Sequence, residues 1–379
     1  MKYKNNNLDF NRRFYNDTSI KTEQEEKPII TPIKLAIIGA SGVVGSTLLK
    51  VLEKKSLPIA EYVFFASKKS AGKKLDFMNQ TYEIQELTEN SLTNNFTYAI
   101  FCAGGEISKH YAPIAVANGC IVIDNSSFFR MNPDVPLVIP EVNPEDIIKH
   151  NGIISNPNCS TIQAVVALKP LHDKYKIKRI VYSTYQAVSG AGSKGIYDFE
   201  NGILNYMDNR DISESYYLQK FPHPIFSNCL PQIDDFVANG NTKEEEKMIN
   251  ETRKILHDPS IRISATCVRV PVLNSHSESI NIEFEENFEI SDLISALENF
   301  PGIVVQNVPD ESVYPLAIHT TRHDKVFVGR IRRDTSVPSG LNLWVVADNL
   351  RKGAATNAVQ ILELLFNKNS PSVASNNFI

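Results

Sequence analysis

Three things are missing from this chain, and each absence excludes a class of protein. No apolar run approaches the length needed to cross a bilayer as a helix, so a helical membrane protein is excluded. The 5 cysteines are widely spaced, with no CxxC pair and no histidine cluster at ligand spacing. That argues against a zinc site or disulfide framework, predicts no metal, and fits a reducing compartment. Charge of one sign is also missing: 39 basic and 43 acidic residues leave a net charge of −4, with no basic excess to attract nucleic acid. What remains is ordinary for a soluble globular protein, with 42% apolar and 22% charged residues. The 379 residues suffice for two domains and a large core.

Residues 1–31 differ from the rest. They are rich in Asn, Lys and Glu and have no apolar stretch like that of a signal peptide, while the acidic run at 23–27 is unlike a transit peptide. They read as a disordered or loosely docked extension, and residues 368–379 as a frayed tail. The expected location is cytoplasmic, with organellar import left open by the extension. No internal repeat is visible.

From residue 32 to 158, short and almost wholly apolar runs at 33–38, 62–66, 98–102 and 120–123 alternate with helical stretches at 43–54 and 107–118. Continuous apolar strands between helices predict a parallel sheet covered on both faces, a Rossmann-type α/β domain. After residue 159 the texture changes. Runs at 178–187, 262–270, 279–284, 325–332 and 341–347 alternate apolar with polar residues, as in a mainly antiparallel sheet with one dry face. Helices at 242–256 and 290–299 would cover that face. The last helix, 351–367, is expected to return to the first domain. The expected division is therefore 32–158 plus 351–367 for the cofactor and 159–350 for catalysis and dimer contact.

The first strand ends in Gly39-Ala40-Ser41-Gly42-Val43-Val44-Gly45. Glycines there let the backbone turn tightly and approach a pyrophosphate resting on a helix N-terminus. The spacing is GxxGxxG, and a plain tight turn is the alternative. The end of the second strand lacks the carboxylate that an NAD site usually places on the ribose hydroxyls. Ser67, Lys68, Lys69 and Ser70 stand there instead, groups suited to a 2′-phosphate, which favours NADP. A solvated basic loop would account for the lysines equally. Ala103-Gly104 ends another strand on the same sheet edge.

The most informative run is Asn156-Pro157-Asn158-Cys159-Ser160-Thr161. Pro157 stops any preceding element, Asn158 is a good N-cap, and residues 160–175 read as a helix. A cysteine at a helix N-terminus meets unpaired N–H groups that favour thiolate and can hold an oxyanion. The alternative is a small buried hydrophobe.

These segments, with SAGK at 70–73, TYQAVSGAG at 184–192, RVPV at 269–272, HSE at 276–278 and DNLRKGAA at 348–355, resemble the aspartate-semialdehyde dehydrogenase family from residue 33 to 366. The resemblance implies NADPH-dependent reduction of L-4-aspartyl phosphate to L-aspartate 4-semialdehyde through a cysteine thioester. It also implies use of inorganic phosphate and a homodimer or tetramer. The product would feed lysine, methionine, threonine, isoleucine and diaminopimelate synthesis.

By position, the resemblance makes Cys159 the nucleophile, His276 the acid/base, Gln186 the residue orienting substrate and nucleophile, and Asn158 a further oxyanion donor. Arg269 would hold the substrate α-carboxylate and Glu244 its amino group; Arg130 and Lys247 would bind phosphate. Ser189, Gly190 and Asn349 would join Gly39, Ser41, Gly42, Val43, Val44, Ser67, Lys69, Ser70, Ala103 and Gly104 around the cofactor. The residues alone leave other readings open. Arg269 lies among Val268, Val270, Pro271 and Val272, and a buried arginine there needs an anion. Glu244 and Lys247, three apart, share a helix face, but Thr242 and Glu245 form a capping box and the turn could simply be solvated. Asn349 could be only a helix cap, Gln186 an amide satisfied between strands, and His276 a surface residue. N-acetyl-γ-glutamyl-phosphate reductase is the nearest rival, but it would carry glycine where Asn158 stands. A catalytically dead paralogue would lack Cys159 or His276.

Overall fold

The computed structural model describes residues 32–210 and 217–369. The expectations for residues 1–31 and 370–379 lie outside the described residues. The first half holds strands β1 (Lys34–Ile38), β2 (Glu61–Ala66), β3 (Lys74–Phe77), β4 (Gln80–Glu83), β5 (Gln85–Glu86), β6 (Tyr98–Phe101), β7 (Ile121–Asp124) and β8 (Ile153–Ser155). Six of them form one all-parallel sheet in the order β5-β2-β1-β6-β7-β8, while β3 and β4 make a separate hairpin not foreseen from the sequence. Successive side chains leave a strand on opposite faces, so both faces bury apolar residues. Leu35, Ile37, Tyr98 and Ile100 pack on one side with helix α1 (Val43–Leu52). Ala36, Ile38, Ala99 and Phe101 pack on the other with helix α2 (Gly105–Ala117).

Helix α3 (Cys159–Tyr175) is buried on nearly every side, because it lies inside the core under the second sheet. That sheet contains β9 (Ile177–Gln186), β10 (Arg262–Arg269), β11 (His276–Phe284), β12 (Ile303–Val305), β13 (Val326–Asp334) and β14 (Gly340–Ala347), in the order β10-β9-β11-β14-β13-β12. The expectation of a mainly antiparallel sheet holds for three of its five pairings. The three central pairings are antiparallel, but β9–β10 and β12–β13 are parallel, so the sheet is mixed. Between β9 and β10 the chain passes through α4 (Gly192–Asn209) and α5 (Lys243–Ile255), and a strand returning by such a crossover runs parallel to its neighbour. Alternation of apolar residues reports a wet face, not a direction.

Helix α4 escaped the sequence reading because Gly192, Gly195 and Gly202 mask its periodicity. Helix α6 (Ile290–Glu298) supplies Leu293 and Leu297 to the core, and α7 (Ala317–Thr320) is a single turn. The last helix opens with a π-helical turn, Arg351–Ala355, before α8 (Thr356–Asn369). Ala358, Val359, Ile361 and Leu362 of α8 pack with Leu35 and Ile37 under the parallel sheet, and the helix ends two residues past the expected boundary at 367. The described residues from Ile33 onward group as one compact unit. Among the described residues, no helix is long and apolar enough to cross a membrane.

Strand order reverses between β1 and β6, and the helices that follow them pack on opposite faces of the sheet. Such a switch point is where open α/β sheets leave a crevice for a ligand. Gly39 turns the chain off β1 at φ +84, a region that disfavours side chains. Gly45 lets α1 sit directly on that turn: a Cβ would stand 2.3 Å from the Gly39 carbonyl oxygen. Gly45→Ala therefore meets backbone that cannot step aside. It is expected to lower stability by about 1–3 kcal/mol, read from the denaturant midpoint at unchanged slope.

Candidate active site

A cleft of about 500 Å³ opens at the switch point. One wall is Val43 and Val44 at the start of α1, and Ala103, Gly104 and Gly105 at the start of α2. Both helices begin on glycine, Gly42 and Gly104, with no side chain capping the first N–H groups. Two uncapped N-termini converging on one crevice suit a doubly charged pyrophosphate, so these residues fit a dinucleotide. Ser67 and Lys69 are exposed and Ser70 half-buried on the turn after β2; these three, with Gly39, Ser41 and Gly42, stand outside the cleft walls proper.

The opposite wall carries Asn158, Cys159, Gln186, Ser189, Gly190, Glu244, Lys247, Arg269, Arg130 and Asn349. Their positions follow from the elements beneath them. Cys159 is the first residue of α3, and its Sγ lies 3.2 Å from Nε2 of His276, the first residue of β11. His276 is wholly buried behind the sulfur, while Cys159 keeps part of its surface open to the cleft. The Ala187 N–H donates to His276 Nδ1 at 2.9 Å. A neutral ring held this way carries its hydrogen on Nε2 and points it at the sulfur.

The expectation of a depressed thiol pKa at a helix N-terminus is not what this geometry gives. Burial and then Glu244 push the thiol up, to about 12, against the pull of Arg269, Arg130 and the Ser160 N–H. Burial and then Arg269 hold His276 down to about 3. The ligand-free pair is thus thiol and neutral imidazole rather than thiolate and imidazolium. The helix end contributes little because Asn158 Oδ1 already accepts from the Ser160 and Thr161 N–H groups, at 3.0 and 3.3 Å. The sign gives a test. A raised thiol pKa moves thiolate formation to alkaline pH, so iodoacetamide alkylation of Cys159 in the ligand-free protein should rise about tenfold per pH unit and still be climbing at about pH 9. A plateau near neutrality would mean an ion pair.

Glu244, buried on α5, ties the site together. Its Oε1 accepts from Asn158 Nδ2 at 2.9 Å and Gln186 Nε2 at 3.0 Å, and its Oε2 from Lys247 Nζ at 3.0 Å. Burial alone would raise its pKa, but Lys247 and the two amides outweigh burial and hold it down to about 2. The Asn158 amide is therefore spent on Glu244 and its carbonyl on the helix cap. Lys247 is also held by Asp234, whose backbone sits at φ +64.

Arg269 ends β10 beside Gln186, which ends β9; the two are register partners. Arg269 Nη1 donates to the Ala187 carbonyl at 2.7 Å, yet its buried Nε has no acceptor. Arg130 likewise donates from Nη2 to the Asn125 carbonyl at 2.8 Å and leaves Nε unpartnered. Two buried guanidinium groups with spare donors in one cleft suit an anionic ligand. Ser189 and Asn349 exchange side-chain hydrogen bonds, and Asn349 Oδ1 also accepts from the Ser275 N–H at 2.9 Å.

Sequence reasoning missed Glu251. Its Oε1 accepts from Arg130 Nη1 at 3.0 Å and its Oε2 from the Asn158 N–H at 2.7 Å, so it anchors the turn before Cys159. The signal was present: 244, 247 and 251 recur at helical spacing on one face of α5. Gly353 was also missed. It packs on the nucleophile so closely that a Cβ would stand 2.9 Å from Cys159 Cβ. The segment 221–226, unfamiliar in sequence, begins beside Arg269: Phe221 and Pro222 line a neighbouring hollow with it. Buried Asp198 pins that segment by accepting from the N–H groups of Gln219, Lys220 and Phe221. The fold also gathers Glu145, Asp146 and His257 away from the cleft, but Asp146 is already engaged by Lys149, Asn143 and His257.

Comparison with known proteins agrees with this architecture. Residues 34–150 match the family described as semialdehyde dehydrogenase, NAD binding domain, and residues 168–352 match semialdehyde dehydrogenase, dimerisation domain. The chain is 53% identical over 334 residues to aspartate-semialdehyde dehydrogenase of Aquifex aeolicus, covering 88% of this chain and 97% of that one. It is 45% identical over 337 residues to the Bacillus subtilis protein of the same name, covering 88% and 97%. Among solved structures, aspartate semialdehyde dehydrogenase II from Vibrio cholerae, complexed with ASA, superimposes with a TM-score of 0.84 at 44% identity, covering 90% of this chain and all of that one. The Candida albicans enzyme with NADP gives 0.70 at 26% identity, covering 89% and 99%. With the folded site and these relatives in agreement over both sheets, the chain belongs to the aspartate-semialdehyde dehydrogenase family.

Proposed function

We propose that this protein reduces L-4-aspartyl phosphate to L-aspartate 4-semialdehyde, reversibly, with NADPH. One observation carries the reading. The Cys159 sulfur, 3.2 Å from His276, shares a cleft with two under-used guanidinium groups and two uncapped helix ends. A thiol, anion-binding groups and a dinucleotide crevice together fit acyl-phosphate reduction. An alcohol dehydrogenase would need neither the thiol nor the anion site.

The Cys159 sulfur attacks the acyl carbon; an S–C bond forms, the C–O bond to phosphate breaks, and the thiol proton passes to the departing phosphate. His276, donating from Nε2, steadies negative charge on the sulfur and then on the oxygen of the reacting carbon. Arg269 grips the α-carboxylate, and Glu244, ionised at neutral pH, faces the amino group. Gln186, held by its bond to Glu244, would orient substrate and nucleophile. Arg130 and Lys247 hold the departing phosphate. NADPH, when bound, supplies the hydride that releases the thioester as the aldehyde. The glycine turn, Ala103, Gly104, Ser189, Gly190 and Asn349 would hold it, and Ser67, Lys69 and Ser70 would suit its 2′-phosphate.

On this reading residues 32–158 with 351–367 hold the cofactor, and 159–350 carry catalysis and the dimer contact. The protein works as a homodimer or a tetramer built from it. All 5 cysteines are free, which supports a cytoplasmic location.

The deciding experiment is a steady-state assay of aspartate semialdehyde oxidation with NADP or NAD, with and without phosphate. NADP reduction that depends on phosphate supports the proposal; equal rates without phosphate would refute it. A narrower test addresses Lys247. Its replacement by methionine should raise the KM for phosphate about 10- to 100-fold and change the KM for NADP little, as expected from losing one charge-assisted hydrogen bond.

A further inference from the structure

Two rungs join α3 to β11. On α3, Cys159 and Gln163 are four apart, and residues at that spacing share a face with Cβ atoms about 5–6 Å apart. On β11, His276 and Glu278 are two apart, on one face at about 6.6 Å. The two spacings match, so the elements meet twice. The first rung is Cys159 with His276. The second is Gln163 with Glu278, one helical turn deeper.

Both members of the second rung are fully buried. Gln163 Nε2 donates to the His276 carbonyl oxygen at 3.3 Å, so it already holds the backbone of the catalytic histidine. Its Oε1 has no donor, and neither oxygen of Glu278 has one. Gln163 is nevertheless the hydrogen-bonding side chain that faces Glu278. Gln163 Oε1 and both Glu278 oxygens are thus buried acceptors without a donor, and one proton on the carboxyl group would supply one.

We propose that Glu278 is a neutral carboxylic acid donating to Gln163 Oε1, and that this rung positions His276 against Cys159. The surroundings agree. The charged or titratable groups around Glu278 are the neutral His276 on its own strand, Glu244 of α5, Tyr182 of β9 and Cys267 of β10, none of them a cation. Burial, with Glu244 adding to it against the Gln163 contact, drives the carboxyl group well above its ordinary range. Left ionised, it would be a buried charge without a partner, a costly state that proteins avoid by keeping the proton. Glu278 does not line the cleft; it acts through Gln163 and the His276 backbone.

The proposal rests on Cys159 and His276 being the reacting pair, but its first test does not need activity. Infrared difference spectra of wild type minus Glu278→Gln at neutral pH should contain the carbonyl band of a protonated carboxylic acid. Its absence overturns the proposal. Kinetics supply the second test. Glu278→Ala leaves Gln163 Oε1 bare and should lower kcat about 10- to 100-fold, with the KM values for aspartate semialdehyde and NADP within about threefold, as for a misplaced catalytic group. Glu278→Gln keeps a donor without charge and should recover most of that loss. A Gln variant as slow as the Ala variant, or an Ala variant with wild-type kcat, overturns the proposal. If the Ala variant fails to fold, the spectrum and the Gln variant still decide. A wild-type protein inactive on aspartate semialdehyde would sink the proposed function while leaving the infrared band to report on the rung.

Discussion

Cys159→Ala leaves a folded protein that reduces NADP at no more than about 1/10,000 of the wild-type rate. The magnitude follows from what disappears. Without sulfur no thioester forms, and the residual rate comes only from binding and from preorganised donors. Alanine suits the space, because the thiol is packed by Gly353 on one side and His276 on the other and loses a single atom. Circular dichroism and the thermal midpoint should therefore stay near wild type, which separates lost chemistry from lost structure. Incubation of wild type with labelled aspartyl phosphate, without cofactor, should leave label on Cys159 and none on the variant. Retention of most activity in the variant would refute the covalent route.

Arg269→Leu should lower kcat/KM for aspartate semialdehyde roughly 30- to several-thousand-fold, which corresponds to about 2–5 kcal/mol for leaving one partner of a buried charge pair alone. The loss should fall mainly on the KM of the substrate, with the KM for NADP little altered, because Arg269 stands on the wall opposite the two uncapped helix ends. Arg269→Lys should recover little, since a point charge does not reproduce the planar fork. Thermal stability offers a useful contrast. The arginine is buried with Nε unpartnered, so leucine removes an incompletely compensated cation and should cost little stability or none. A variant that binds substrate normally would remove Arg269 from the carboxylate site.

Much of the fold was legible because its signals are local. The apolar runs of β1, β2, β6 and β7 are too short and too continuous for anything but strands buried on both faces. Asn158 as a cap fixes the start of α3, and the Thr242–Glu245 capping box fixes the start of α5. The hairpin of β3 and β4 was not legible, since its strands are mostly exposed and polar. Helix α4 was hidden by its glycines. The directions of β10 and β12 depend on how the chain returns over the sheet, which alternation does not encode.

The site divides in the same way. Position at a helix start nominated Cys159 and apolar neighbours drew notice to Arg269, but His276 and Glu244 were named only by the family resemblance, because a lone histidine or a helix-start carboxylate has no local pattern that sets it apart. Protonation belonged to the tertiary structure. The sequence suggested a thiolate from the helix end; the fold spends those N–H groups on Asn158, buries the sulfur and sets Glu244 beside it, so the thiol keeps its proton. Glu251, Gly353 and the Gln163–Glu278 rung likewise became visible only when α3, α5 and β11 came together. Sequence by itself determined which elements form and which groups can react, because backbone preference and side-chain chemistry are properties of a residue and its near neighbours. Burial, hydrogen-bond partners and the resulting charge states were decided only by the packed molecule, because they depend on groups far apart in sequence, such as Cys159 and His276 or Glu244 and Asn158, being brought within about 3 Å.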